Sequence, residues 1–568
     1  MQSQLSWRED GVSAIRAKHY GDIRASLEAL IAALETMVQS DALREAAAGE
    51  IVRIYGRAQD CLWTMRTAVR AAESLNSLDA AALQAESDIT LLAHRLDAAF
   101  EPVRHLIEAQ APAGKTTEGA AWRRWFAEHP CETGSRVLAK DGGFTAGVML
   151  PLKSLHRHLT ALMRISVPTK DGLMVSQTFS QAVASLKTSS DNVLTEAVFR
   201  EMSGWFARES AVFADLLNAV LGFRLSCARS VREDILSYAL RMDRMSPEVM
   251  EAMHAALAEK AGELRAALTD RFKAAGPVPV CALYTQAGDD SEQNRRLFTA
   301  RESIEEAARA MHTVVPGFSA FIDEALRNRW IDAATGAAKT GGAWCDNLPS
   351  ENAVFISLKN APGPGVLFQA SHLLGVGYLH RLLHTKTPAE RRVPLSVIEI
   401  AGQFFETAVE RTLAVETGGA FRAQAVRRLI NMTLLLPMRH RLNVRLLRAR
   451  EKGIVAPAEI NQMTREAWEE SFGKAVAGCD QYIWAYKQHF YRTDIVFYDW
   501  QYTLGYLASQ LLWQAVMQKA PSERGAFVDT VLAESSVLSV EELIRKASGR
   551  DARDKQTWLA ALNAALEA

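Results

Sequence analysis

The sequence predicts a mainly α-helical protein. Three observations carry the prediction: apolar residues recur with a helical period along most of the 568 residues, only two short runs break that rule, and an apolar content of 48% can fill a large core. The first stripe begins at Ile23 and continues through Leu27, Leu30, Ile31, Leu34, Met37 and Val38, a spacing that turns one helix face toward a core. Similar stripes run through 41–76, 78–110, 191–222, 230–243 and 246–274. Ser246, Pro247 and Glu248 mark a helix start, because proline at the first helical position has no N–H to leave unpaired and a preset φ. The two exceptions, Val278 to Tyr284 and Ala353 to Leu358, are β-branched or aromatic and bounded by turn residues, so a small sheet is expected.

Between about 110 and 143 the composition shifts toward Gly, Pro, Thr and Lys, which marks a boundary. The expected division is an N-terminal helical region (1–110), a connection with helices (111–190) and a large C-terminal unit (191–568). Lys and Arg number 65 against 66 Asp and Glu, a net charge of −1, so no long-range field draws the chain to nucleic acid or a membrane surface. One local exception is the stretch from Phe421 to Arg450, with eight arginines (422, 427, 428, 439, 441, 445, 448 and 450) and no acid. They serve either an anion or, as the neutral balance favours, carboxylates on neighbouring helices. The six cysteines are scattered without a CxxC pair and are expected as reduced thiols. The opening residues lack a basic segment followed by an apolar run, and no stretch reaches about 18 uninterrupted apolar residues, so a cytoplasmic protein without a membrane span is expected.

The chemistry concentrates after residue 365. An HExxH helix sets two histidines one turn apart on one metal, with the glutamate as general base for the bound water. Here His372 stands in the first histidine position, Leu373 in the place of the base and Val376 in the place of the second histidine. Downstream, Pro394 precedes a helix carrying Glu399, Ala401-Gly402 and Glu406, and Glu399 follows His372 by 399 − 372 = 27 residues. Upstream, Arg329 to Leu348 contains a Lys-x-Gly-Gly-Ala run, and Lys487 to Ser509 contains His-Phe-Tyr, Phe-Tyr and Tyr-x-x-Gly-Tyr.

In this order the motifs resemble those of the thimet oligopeptidase/oligoendopeptidase F family of zinc metallopeptidases. The resemblance implies a zincin-like helical ellipsoid whose two lobes flank a deep channel with a small β-sheet at the site. It implies Glu399 as a metal ligand position with Glu406 in support, and His489, Tyr498 and Tyr502 as oxyanion or substrate contacts. It also implies that Gly341, Gly342 and Ala343 lie on an edge strand that pairs with peptide backbone. The chain departs from the family at Leu373 and Val376, which leaves His372 and Glu399 as vestigial metal positions, too few for a catalytic zinc. The expectation is a protein that binds a short extended peptide or a protein terminus, needs no cofactor, and does not hydrolyse peptides by the usual zinc mechanism. Two alternatives stay open: an active metallo-oligoendopeptidase with a non-standard zinc site, and a scaffold for a protein partner. His380 and His384 continue the face of His372 in steps of four and offer a displaced metal pair; the competing reading makes them hydrogen-bonded or surface histidines.

Overall fold

The computed structural model describes residues 18–39, 45–75, 80–109, 117–128, 150–169, 172–189, 191–285, 297–333, 343–358, 363, 365–417, 421–493 and 495–567, and the structural statements below concern these. Helices dominate, as the periodicity predicts, and the described strands form only two- and three-stranded sheets.

The N-terminal part has a core of its own. Helices α1 (Lys18–Gln39), α2 (Glu45–Leu75) and α3 (Ala80–Ala109) turn their apolar stripes inward, with Leu27, Ile31 and Leu34 fully buried. A fourth helix, α4 (Thr117–Glu128), lies inside the stretch read from composition as a connection. Its sequence AAWRRWF places Trp122, Trp125 and Phe126 on one face, and they close the core over a Tyr55–Phe100 stack with centroids 3.9 Å apart. Helical spacing of large aromatics outweighs flanking Gly and Pro.

The second core spans most of the remaining chain. A hairpin that the periodicity does not announce, β1 (Arg164–Pro168) with β2 (Met174–Thr178), turns through Gly172 at φ +76° and buries Ile165 and Val167. Of the expected strand at 278–284, only β3 (Val278–Pro279) is extended; Val280–Tyr284 is a 3-10 helix. The cause is the partner: Gly478 at φ +86° breaks the chain just after the parallel mate, Val476–Ala477. The other expected strand is observed. The fully buried Ala353–Ser357 is the middle of a three-stranded sheet, parallel to β4 (Ile331–Asp332) and antiparallel to the edge strand β5 (Trp344–Leu348).

The two cores meet at this edge, and also where Arg391 pairs with Asp60 and Arg244 with Glu128. Thr67 of α2 donates to the carbonyl of Asn347 (2.9 Å), Trp63 donates through Nε1 to Asp346 (2.8 Å), and the Arg70 guanidinium stacks 4.2 Å from the Trp344 ring. Among the described residues one helix, Ser210–Ser230, is long and apolar enough to cross a membrane by length and composition, and 56% of its most apolar 18-residue window is buried inside the fold.

Three helices carry the candidate site: α5 (Val366–Leu383), α6 (Leu395–Thr417) and, near the C-terminus, Trp500–Met517. They approach closely through glycines. A Cβ on Gly402 would lie 2.6 Å from the His372 ring, and one on Gly505 would lie 2.7 Å from the backbone carbon of Glu399.

Candidate functional site

Helix α5 is apolar on nearly all sides, as a helix embedded in a core must be. His372 and Val376 share a face one turn apart, with Leu373 beside them. Leu373 is 7% exposed and Val376 3%, while His372 retains partial exposure. Apolar side chains at 373 and 376 are compatible with burial there; an unpaired carboxylate or imidazole would bear a desolvation cost.

Helix α6 presents the opposite character. Glu399, Gln403, Glu406, Thr407 and Glu410 recur at helical spacing, and they converge on His372 and on Arg428 from α7 (Arg422–Ile430). Glu399 Oε2 lies 3.6 Å from His372 Nε2, and Glu406 Oε2 lies 3.3 Å from His372 Nδ1. The other Glu406 oxygen meets Arg428 Nε at 3.2 Å, and Arg428 Nη1 donates to Glu410 at 3.2 Å. Arg428 Nη2 donates to the Gln403 side chain (2.7 Å), the Gln403 carbonyl (3.0 Å) and Thr407 Oγ1 (2.8 Å), and the guanidinium lies 4.8 Å from the Tyr506 ring centre.

The charges follow. Burial opposes a proton on His372, but the hydrogen bond to Glu406 and the charge of Glu399 outweigh it and raise its pKa. Burial is the largest influence on Glu399, and with the Glu406 charge it raises that carboxyl to about 7 against the pull of His372. Glu399 Oε2 has no hydrogen-bond partner. Burial also works against ionised Glu406, yet Arg428 and His372 together hold it below the usual carboxylate range.

The C-terminal aromatic residues lie within the electrostatic reach of Glu399. Asp499 caps the helix Trp500–Met517 by accepting from the Trp500 N–H (2.7 Å) and is itself held by His440 (3.0 Å) and Asn443 (2.8 Å). That anchor sets Tyr498 and Tyr502, stacked with centroids 5.1 Å apart, while the His489 ring sits 4.6 Å from Tyr498. Burial raises both hydroxyl pKa values, and the Glu399 charge adds to each. The structure therefore groups His372, Glu399 and Glu406 with Tyr498, Tyr502 and His489. Ala343 directly precedes β5, whereas Gly341 and Gly342 lie outside the described residues.

Other sequence candidates resolve differently. His380 and His384 are buried: His384 Nε2 pairs with Asn347 Oδ1 at 2.9 Å, and His380 meets Trp63 edge-on. Among the basic run, Arg428, Arg441 and Arg445 pair with carboxylates of other helices. Arg439 instead donates to the Tyr498 carbonyl at 3.0 Å. The role of Arg428 escapes sequence reading; its signal is the stripe Glu399, Glu406, Glu410, which on an apolar helix requires a buried cation.

A catalytic zinc takes three protein ligands and a water. Val376 supplies no donor, carboxylates of different residues face the two opposite nitrogens of His372, and among the described residues no group of three His, Cys, Asp or Glu is placed to hold one metal ion. The donor set does not fit that ion.

No family model matches the chain, and no curated protein matches it. Solved structures do. PZ peptidase A, solved with an inhibitor, is 15% identical with a TM-score of 0.78 over 96% of each chain. Oligoendopeptidase-F from Enterococcus faecium is 14% identical with a TM-score of 0.64, covering 97% of this chain and 98% of that one. A protein assigned as an oligoendopeptidase F from Bacillus anthracis is 13% identical, TM-score 0.74, covering 96% of this chain and 94% of that one. At such identities the likeness is one of fold: the chain has the mainly α fold of the oligoendopeptidase F-type peptidases along nearly its whole length, as the motif resemblance implies.

Proposed function

We propose that this chain, built on the oligoendopeptidase F fold, binds short extended peptides or protein termini and does not hydrolyse them by the zinc mechanism. One observation carries the reading: the His372 ring is engaged from both sides by Glu399 and Glu406, while Leu373 and Val376 are buried where a base and a second imidazole would stand. A missing general base alone costs ~10²–10⁴-fold in rate.

The edge strand supports the binding half of the reading. Because Asn347 turns its carbonyl to Thr67, the residues of the same parity, Cys345 and Ala343, turn their backbone groups away from the sheet. A peptide adding to this edge pairs at 343–345 and meets α2 beyond it.

The test is fluorescence anisotropy of a dye-labelled random heptapeptide pool with the purified chain, followed by mass spectrometry of the same pool. Saturable binding with intact peptides, weakened by Cys345→Pro, is the expected result. Cleavage would contradict the silent-hydrolase half, and binding indifferent to Cys345→Pro would favour a scaffold that uses another surface.

A further inference from the structure

The two outer edges of the hairpin β1–β2 differ in character. Thr169 donates to the Leu173 carbonyl at 2.7 Å, and this bond fixes the alternation of the ladder. Val167 with Val175 and Ile165 with Gln177 exchange bonds inside the hairpin, whereas Ser166 and Pro168 on β1, and Met174 and Ser176 on β2, turn their backbone groups outward. On β1 the outward row is broken at Pro168, which has no N–H to offer a further strand. No such break exists on β2. Among the described residues, none accepts from the outward N–H groups of Met174 and Ser176. The row ends at Thr178, whose N–H is taken by Gln181 Oε1 at 2.9 Å.

The side chains on this edge are as open as its backbone. Leu173, Met174 and Val175 are 68%, 63% and 43% exposed, three consecutive large apolar residues where a protein surface ordinarily shows them singly. From Leu173 to Thr178 there is no charge, although a lysine or an acid is the usual barrier against pairing at a free edge. The edge strand β5 differs on both counts: it carries Asp346, and α2 bonds to it through Trp63 and Thr67.

A second copy of the strand is its complement. With a two-fold axis at Val175, Met174 of one protomer stands opposite Ser176 of the partner subunit, and each of the two such pairs exchanges both backbone bonds. Every outward N–H of the edge is then satisfied without calling on Thr178. Val175 faces its own copy across the axis as a non-hydrogen-bonded pair, the arrangement in which side chains come closest, and no like charges meet.

We propose that this chain forms a two-fold dimer in which the β2 edges of two copies pair antiparallel about Val175 and join the hairpins into one four-stranded sheet. The contact is separate from the peptide edge at β5 and does not depend on the peptide reading.

Sedimentation velocity of the full chain over a concentration series tests the assembly, and placed cysteines test its register. The parent should shift reversibly from monomer toward dimer as concentration rises. Met174→Lys with Ser176→Lys sets like charges opposite each other across the axis and should leave monomer alone. Met174→Lys with Ser176→Glu sets opposite charges there and should keep the dimer, both variants being checked for an unchanged thermal transition. Oxidised with glutathione disulfide, Val175→Cys should give a covalent dimer on a non-reducing gel that the parent does not give. Ser176→Cys should give far less, because its two copies do not face each other whereas a non-hydrogen-bonded pair lies within disulfide reach. A parent that stays monomeric at every concentration would overturn the proposal and leave the edge to a different chain. A dimer that survives the first double variant would place the interface elsewhere and overturn it as well. A covalent dimer from Ser176→Cys in place of Val175→Cys would overturn the register.

Discussion

Helices α5 and α6 lie against each other and have met the same problem in opposite ways. On α5 the positions next to His372 are apolar and buried, so the helix asks for no countercharge at 373 or 376. On α6 the acids at 399, 406 and 410 remain, and a single guanidinium, Arg428, binds two of them while also satisfying Gln403 and Thr407. The contrast teaches that a buried carboxylate keeps its charge where a cation is fixed within hydrogen-bond reach, as Arg428 is for Glu406, whereas Glu399, whose Oε2 has no hydrogen-bond partner, is pushed up to about 7.

The sharpest way to break this comparison is to remove the common partner. Arg428→Met strands Glu406 and Glu410 in the core and should cost about 3–5 kcal/mol, read as a fall in the urea midpoint; a variant as stable as the parent would mean that the acids are not balanced by Arg428. Restoring on α5 what α6 retains gives the next effect. Leu373→Glu with Val376→His should lose about 2–3 kcal/mol without metal, through burial of two polar groups, and regain it on adding zinc. A double variant that neither binds zinc nor responds to it would place the loss beyond these two positions.

Packing between the helices is tested by Gly505→Ala. Its Cβ would sit 2.7 Å from the backbone of Glu399, where nothing flexible can yield, for a cost of about 1–3 kcal/mol. Titration gives a further distinction. The folded pKa of Glu399 lies above its ordinary value, near 7 rather than 4.5, so the fold holds its proton more tightly and stability falls as pH rises through that window. His372, also raised, acts in the same sense: its contribution is complete below its ordinary value and is lost as pH rises through the folded one. Glu399→Gln should therefore gain on the parent between pH 5 and pH 8 in urea unfolding; a constant difference would contradict the assigned protonation. The smallest effect belongs to an ion pair outside the network: Arg381→Ala breaks the partly exposed contact with Glu324 (3.0 Å) and should change stability by less than about 1 kcal/mol.

Much of this was legible beforehand, and the failures have physical causes. The long stripes that became α2 and α3, and the strand Ala353–Ser357, declare themselves because their burial is one-sided or complete. The segment Val280–Tyr284 has strand composition but takes 3-10 form because its neighbour ends at Gly478, a fact of pairing that composition does not hold. Helix α4 was hidden by the glycines and prolines around it. At the site, positions 373 and 376 and the acids 399 and 406 are singled out by the motif resemblance, which runs along continuous chain segments and so needs no knowledge of packing. The role of Arg428 is not, because it depends on which helices the fold brings together.

The central claim is that the face of α5 at residues 372–376 no longer supports a catalytic zinc. The direct measurement is metal content of the purified chain by mass spectrometry, paired with cleavage of a quenched fluorescent peptide library with and without chelator. We predict zinc well below one ion per chain and no chelator-sensitive cleavage; one tightly held zinc per chain with turnover that a chelator abolishes would contradict the account.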